Sequence, residues 1–296
     1  MKKRSFVIAS VVLLVIFAIF ACLVAFPPFF KGAGKPFSIG KKVGVIEILG
    51  AITKSRTIIE DLHKFCEDGS IKAIVLRIDS PGGGVGPSQE IHAEVIKAAQ
   101  QKPVIVSMGS VAASGGYYIA APANKIFANP GTITGSLGVI MKFTNVLHLM
   151  DKIGLKTSVV KSGIHKDIGS SVREMTQKEK ALLQGLIDDV HSQFVEAVSV
   201  DRKIAEDQVR KLADGRIFTG RQALKYGLLD ELGGLQAAID EAGRQGGIVG
   251  KPKVVYPAEP SVNIIDYFIG KTVSQVRQQL TYDQAVGLQL LWSPAI

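Results

Sequence analysis

The stretch Val104-Ile-Val-Ser-Met-Gly-Ser-Val-Ala-Ala-Ser-Gly-Gly-Tyr-Tyr118 decides how this chain is read. Val104 to Met108 is an apolar run of strand character, and the small residues from Val111 to Gly116 turn it into an amphipathic segment. Ser114 is the centre of that turn. With Ala113 and Gly115 on either side, its hydroxyl has little bulk around it and stands at a strand-to-helix junction among backbone N–H groups, as nucleophiles are commonly presented. The competing reading is a plain helix N-cap, a role serine fills often.

Working outward, Val43–Leu49 reads as a strand, Thr57–Glu67 as an amphipathic helix, and Ile71–Ile78 as a strand whose apolar middle suits burial on both faces. A helix is expected from Ser88 to Gln101, just before Val104. This alternation predicts βαβ units, a parallel sheet and an α/β fold. Further along, Tyr117–Ala121 reads as helix, Lys125–Ala128 as strand, Phe143–Ile153 as helix and Lys156–Val160 as extended. Thr176 and Glu179 match a capping box opening a long helix to about Lys203, followed by helices at Glu206–Leu212 and Leu235–Gly243 and a last strand around Val254–Tyr256.

The 296 residues, 47% hydrophobic and 21% charged, have the composition of a packed globular protein. The net charge is +9, and much of the excess lies in Lys2, Lys3, Arg4, Lys31, Lys35, Lys41 and Lys42, with no acidic residue among them. That clustering argues for membrane flanks and against a nucleic-acid surface. Lys2-Lys3-Arg4 precedes an uncharged stretch, 6–26, of the length a membrane-spanning helix needs, about 20 residues. We therefore expect residues 1–5 in the cytoplasm, an uncleaved anchor at 6–26, a linker at 27–41, a catalytic domain at 42–260 outside the cytoplasm, and a tail at 261–296. The expected location is the cell (inner) membrane, crossed once. Cys22 and Cys66 are not a plausible disulfide, Cys66 reads as a core residue, and no metal-ligand spacing occurs among the five histidines.

Acyl transfer from a serine needs oxyanion donors and a base. Ser80-Pro81-Gly82-Gly83-Gly84 falls where a strand ends and a helix begins, and its glycines let amide N–H groups approach a substrate; a simple tight turn is the alternative. No histidine lies in a motif pairing it with serine and aspartate. Lys166, beside His165 in the polar segment Ser162–Ser171, serves as a base only if burial lowers its pKa from the ordinary value of about 10.4; otherwise it is one more solvated lysine.

Asp79-Ser-Pro-Gly-Gly-Gly, Ala113-Ser-Gly-Gly-Tyr-Tyr-Ile-Ala, Gly135-Ser-Leu-Gly-Val, Lys161-Ser-Gly-Ile-His-Lys-Asp and Gly215-Arg-Ile-Phe-Thr-Gly, in this order, resemble the signal peptide peptidase A family, in its short bacterial form with a membrane anchor. The likeness covers residues 43 to 245. It implies a Clp-protease-like and crotonase-like fold, a repeated ββα-type core, and a Ser-Lys dyad that hydrolyses remnant signal peptides. Carried over, the nucleophile falls on Ser114, the general base on Lys166, a hydroxyl holding that lysine on Ser136, and the oxyanion donors on the N–H groups of Gly83 and Gly115. The resemblance further implies a homo-oligomeric ring, octamer-like, with Ser and Lys contributed by neighbouring subunits, and no cofactor or metal. For apolar peptides, Leu137, Val139, Ile140 and Met141 read as pocket walls or as ordinary core. The alternatives are a crotonase-like acyl-thioester hydratase or lyase, a protease cutting one membrane partner protein, and a silent scaffold.

Overall fold

The computed structural model describes residues 40–258, the backbone of 289–291, and the helical residues Leu14 and Phe17. Apart from those two, the expected anchor at 6–26 and the linker to residue 39 lie outside the described residues, as does most of the tail. Among the described residues no helix is long and apolar enough to cross a membrane.

The sheet runs through β1 (Lys42–Leu49), β2 (Ile71–Ser80) and β4 (Val104–Ala113), all parallel, with β9 (Lys253–Val255) beside β1. Its two faces are both covered. On β1 and β2 the alternate residues Val43, Val45, Ala73 and Val75 pack with Ile105 and Phe127 against helix α8 (Leu235–Gln245). Their neighbours Ile46, Ile48, Ile74, Leu76 and Ile78 face the larger cluster, where α1 (Arg56–Glu67) contributes Leu62 and Phe65 and α2 (Val85–Gln101) contributes Ile91 and Val95. Burial on both faces is why the middle of β2, Ala73–Leu76, reads as an unbroken apolar run rather than as alternation. Cys66 is half-buried against the larger cluster, and burial pushes its thiol pKa up, consistent with a core residue.

Beyond β2 the sheet forks. The first half of β4 pairs with β5 (Lys125–Ala128), and its last three residues pair with β6 (Ile133–Gly135), Val111 opposite Ile133 and Ala113 opposite Gly135. β5 continues to β8 (Glu231–Leu232), while β6 carries the antiparallel β7 (Ile217–Thr219). β4 is thus five residues longer than the apolar run Val104–Met108 indicates. The reason is Asp79, whose carboxylate accepts hydrogen bonds from the N–H groups of Ser110 (3.2 Å) and Val111 (3.1 Å) across an irregularity in the β2–β4 ladder. This stitch carries the strand past Gly109 to Ser114.

Three other segments differ from expectation. Phe143–Ile153 is helical only over α4 (Leu147–Lys152), which starts where the Asn145 side chain accepts the Leu147 N–H at 2.8 Å. Residues 156–160, expected to be extended, are exposed and form no strand. The glycine-punctuated segment after Gly215 holds β7 and the short helix α7 (Gly220–Lys225), capped by a Thr219/Gln222 capping box. The box at Thr176 and Glu179 forms as read and opens α5 (Gln177–Arg202), followed by α6 (Glu206–Leu212).

Candidate active site

β4 delivers Ser114 to the start of α3 (Gly115–Ala120), all six of whose residues are buried. Ser114 has φ 53° and ψ −116°, a conformation that costs a non-glycine residue about 1–3 kcal/mol. Its backbone is tied on both sides: its N–H donates to Gly135 O at 2.8 Å, and its C=O accepts from Tyr118 N at 2.8 Å. Its side chain makes no capping hydrogen bond, and the hydroxyl's contact is a long 3.5 Å approach to Gly138 O. Ser114 therefore occupies the cap position without spending its hydroxyl there, and the strain is held by a rigid surround. Tyr117 donates its buried hydroxyl to Leu228 O at 2.8 Å, and desolvation raises its pKa far above the usual phenol value. Tyr118 packs edge-on against Phe194.

Ser136 follows β6 as Ser114 follows β4. It too is left-handed, φ 50°, it is 7% exposed, and its N–H donates to Arg216 O at 2.8 Å. Since Ala113 and Gly135 are register partners on parallel strands, the two serines are neighbours one step beyond the pair.

The glycines form β3 (Gly82–Gly84), which lies against α3. On one side Ile52 N–H donates to Gly82 O and Gly84 N–H donates to Ile52 O, both at 2.9 Å. By the alternation of a strand, the N–H and C=O of Gly83 face the other way. A Cβ on Gly83 would lie 2.1 Å from Ile52 O, so only glycine fits that approach. Gly115 is the first residue of α3, and its N–H is among the donors a helix leaves without an internal partner. The fold thus gathers Gly83, Ser114, Gly115 and Ser136 at one end of the sheet. Against the free edge of β3 runs β10 (Gln289–Leu291), antiparallel, with Leu290 opposite Gly83. Sequence reasoning left this tail undecided, since three residues of strand carry no local signal.

Lys166 stands apart. It is exposed, on a turn spanning 163–170, and within the chain its ammonium is joined to neither Ser114 nor Ser136 by a hydrogen bond. His165 beside it is likewise exposed, and no histidine is hydrogen-bonded to Ser114; His92, for instance, is paired with Asp201 at 2.6 Å. Of the proposed wall residues, Leu137 is buried in the main cluster and Val139 packs against it, whereas Ile140 is exposed and Met141 half-exposed. Among the described residues no cluster of His, Cys, Asp and Glu is arranged to hold a metal ion.

Residues 96–248 match the family model described as peptidase family S49, and residues 41–134 match that of Clp protease. A Synechocystis protein provisionally named as a protease is 46% identical over 197 residues, 66% of this chain and 71% of that one. The Salmonella typhi protein Protease 4 is 36% identical over 72% of this chain and 34% of its own. The Arabidopsis thaliana chloroplastic serine protease SPPA is 34% identical over 79% of this chain and 35% of its own.

Proposed function

Because this chain belongs to peptidase family S49, we propose that it is a serine endopeptidase anchored in the membrane by residues 6–26, with its catalytic domain outside the cytoplasm, and that it hydrolyses remnant signal peptides. Family membership favours a peptidase over an acyl-thioester hydratase. The observation that carries the reading is Ser114: strained, buried, with an uncommitted hydroxyl, beside the N–H of Gly115 and the β3 strand of Gly83.

In the proposed reaction a neutral Lys166 takes the Ser114 hydroxyl proton as Oγ bonds to the scissile carbonyl carbon. The N–H groups of Gly83 and Gly115 hold the resulting oxyanion, a kind of contact worth roughly 2.7–4 kcal/mol per donor. The C–N bond breaks, the lysine ammonium gives its proton to the departing amine, and water repeats the cycle on the acyl-enzyme. Ser136 holds the lysine. The peptide adds as a strand along the edge of β3, in place of residues 289–291, which pair with that edge in the structure.

Lys166 comes from a neighbouring protomer in a ring. Two features support this: Lys166 is exposed and its ammonium makes no hydrogen bond or ion pair among the described residues, and the segment leading to it exposes Phe143, Leu149, Ile153, Leu155, Val160 and Ile164. So much apolar surface on one segment is what a partner covers. Apposition would also remove water from the lysine, as a general base requires.

The test is complementation. Ser114→Ala and Lys166→Ala are each expected to abolish cleavage of an apolar peptide, and co-assembly of the two inactive chains is expected to restore a fraction of it. Near-normal turnover by either variant alone removes the dyad; inactive variants with no recovery on mixing leave the dyad within one chain.

A further inference from the structure

We propose that Arg173 is the positioning residue of the lysine site, acting through Asp167 to hold the Lys166 turn ready for its partner; this rests on the reading of Lys166 as the base. The turn has little of its own to hold it. It is closed by backbone bonds of 3.1 Å from Lys166 N to Gly163 O, Ile168 N to His165 O and Ser170 N to Asp167 O, and it contains no buried residue.

What fixes it is the residue after the lysine. The Asp167 carboxylate pairs with Lys161 and is gripped by the Arg173 guanidinium, Nε to Oδ2 at 2.8 Å and Nη2 to Oδ1 at 2.9 Å, while Nη2 also donates to Asp167 O at 3.0 Å. The other edge of the same guanidinium binds Glu179, Nη1 to Oε2 at 2.9 Å and Nη2 to Oε1 at 2.5 Å, and Nη1 reaches Glu174 O at 3.0 Å. Glu179 is 3% exposed and closes the capping box of α5, whose Leu183, Phe194, Val195 and Val198 are buried. A continuous line of contacts thus runs from the core helix through Glu179 and Arg173 to Asp167, the residue bonded directly to Lys166. A second seat lies on the far side of the turn, where Gly169 at φ 79° lets the Phe143 ring approach so closely that a Cβ would lie 2.4 Å away.

Only arginine suits this place. Its planar fork satisfies two carboxylates at once, whereas a lysine presents a point charge and would leave one of them unmatched. Holding the turn beforehand lowers the ordering cost of docking and places the ammonium, and misplacement by about 1 Å can cost on the order of 10²-fold in rate.

The experiment uses the full chain in detergent and compares Arg173→Lys, Arg173→Ala and Lys166→Ala in kcat, KM and thermal stability. Arg173→Lys is expected to lower kcat at least ~10-fold with KM nearly unchanged, and millimolar guanidinium ion is expected to restore part of the kcat of Arg173→Ala. A kcat near wild type in Arg173→Lys, or a loss in Arg173→Ala that tracks unfolding and is not rescued, overturns the proposal. Retention of activity by Lys166→Ala instead overturns the underlying reading, whatever the Arg173 variants do.

Discussion

Ser114 and Ser136 stand side by side at the ends of two parallel strands, each one residue past the Ala113–Gly135 pair and each in a left-handed conformation. Neither is a glycine, although both backbones suit one. Two strained serines next to each other, held by bonds to Gly135 O and Arg216 O, mark where the fold gives up stability to aim side chains.

The strain at Ser114 is separable from its chemistry. Ser114→Gly is expected to be more stable than Ser114→Ala by about 1 kcal/mol, the relief of the left-handed φ less the chain entropy of glycine. Both lose activity. Urea midpoints of the two variants check this, and equal midpoints contradict it.

Ser136→Ala is expected to reduce kcat on the order of 10²-fold by loosening the lysine that we propose it holds, with KM little changed. Its own N–H bond to Arg216 O survives the substitution, so folding should be retained. Steady-state kinetics beside a circular dichroism melt separate the two effects.

Gly83→Ala places a methyl 2.1 Å from the Ile52 carbonyl oxygen and must push β3 off its seat. The expected loss is 10²–10³-fold in kcat, comparable to removing an oxyanion donor. Near-normal kinetics in this variant would contradict the assignment of the Gly83 N–H.

Residues 289–291 occupy the edge of β3 toward which the Gly83 N–H points. Ending the chain at residue 288 should therefore raise kcat/KM on added peptide several-fold, and a peptide of residues 287–296 should inhibit the truncated enzyme competitively. Unchanged kcat/KM after truncation would show that the segment does not compete with substrate.

Acid should release the lysine turn. Hydrogen bonds from Arg173 and then from the Thr176 backbone lower Glu179 from 4.5 to about 2, and Arg173 followed by Lys161 holds Asp167 well below the usual carboxylate range. Folded values lying below unfolded ones mean that this stability is complete above about pH 4.5 and is lost as pH falls toward 2. Melting temperature should drop across that window, and the drop should be smaller in Arg173→Met. An identical pH dependence in both proteins would refute the assignment.

Much of this was legible in the residues. The βαβ order, the two-faced burial of β2, the capping box at Thr176 and the core place of Cys66 follow from local pattern, because each depends on neighbours within a turn or a strand. The turns around Gly83 and Ser114 were readable for a similar reason, since small residues are needed wherever backbones approach closely, whereas Ser136 was singled out only by the family resemblance. Arg173 was not, since an arginine in a polar loop looks like any other until its two carboxylates are brought to it.

By itself, then, the sequence determined an α/β chain with a serine in a small-residue turn, a glycine-rich strand end and a basic, apolar N-terminal stretch; that this serine is buried rather than exposed came only from the fold. Only the tertiary structure decided that Ser114 makes no capping hydrogen bond, that Ser136 is its neighbour, that residues 289–291 lie along β3, and that Arg173 clasps Asp167, the residue after an exposed Lys166. The physical reason is range. Helix and strand preferences act over a few residues, whereas each of these relationships joins segments far apart in the chain and exists only once the sheet has aligned them.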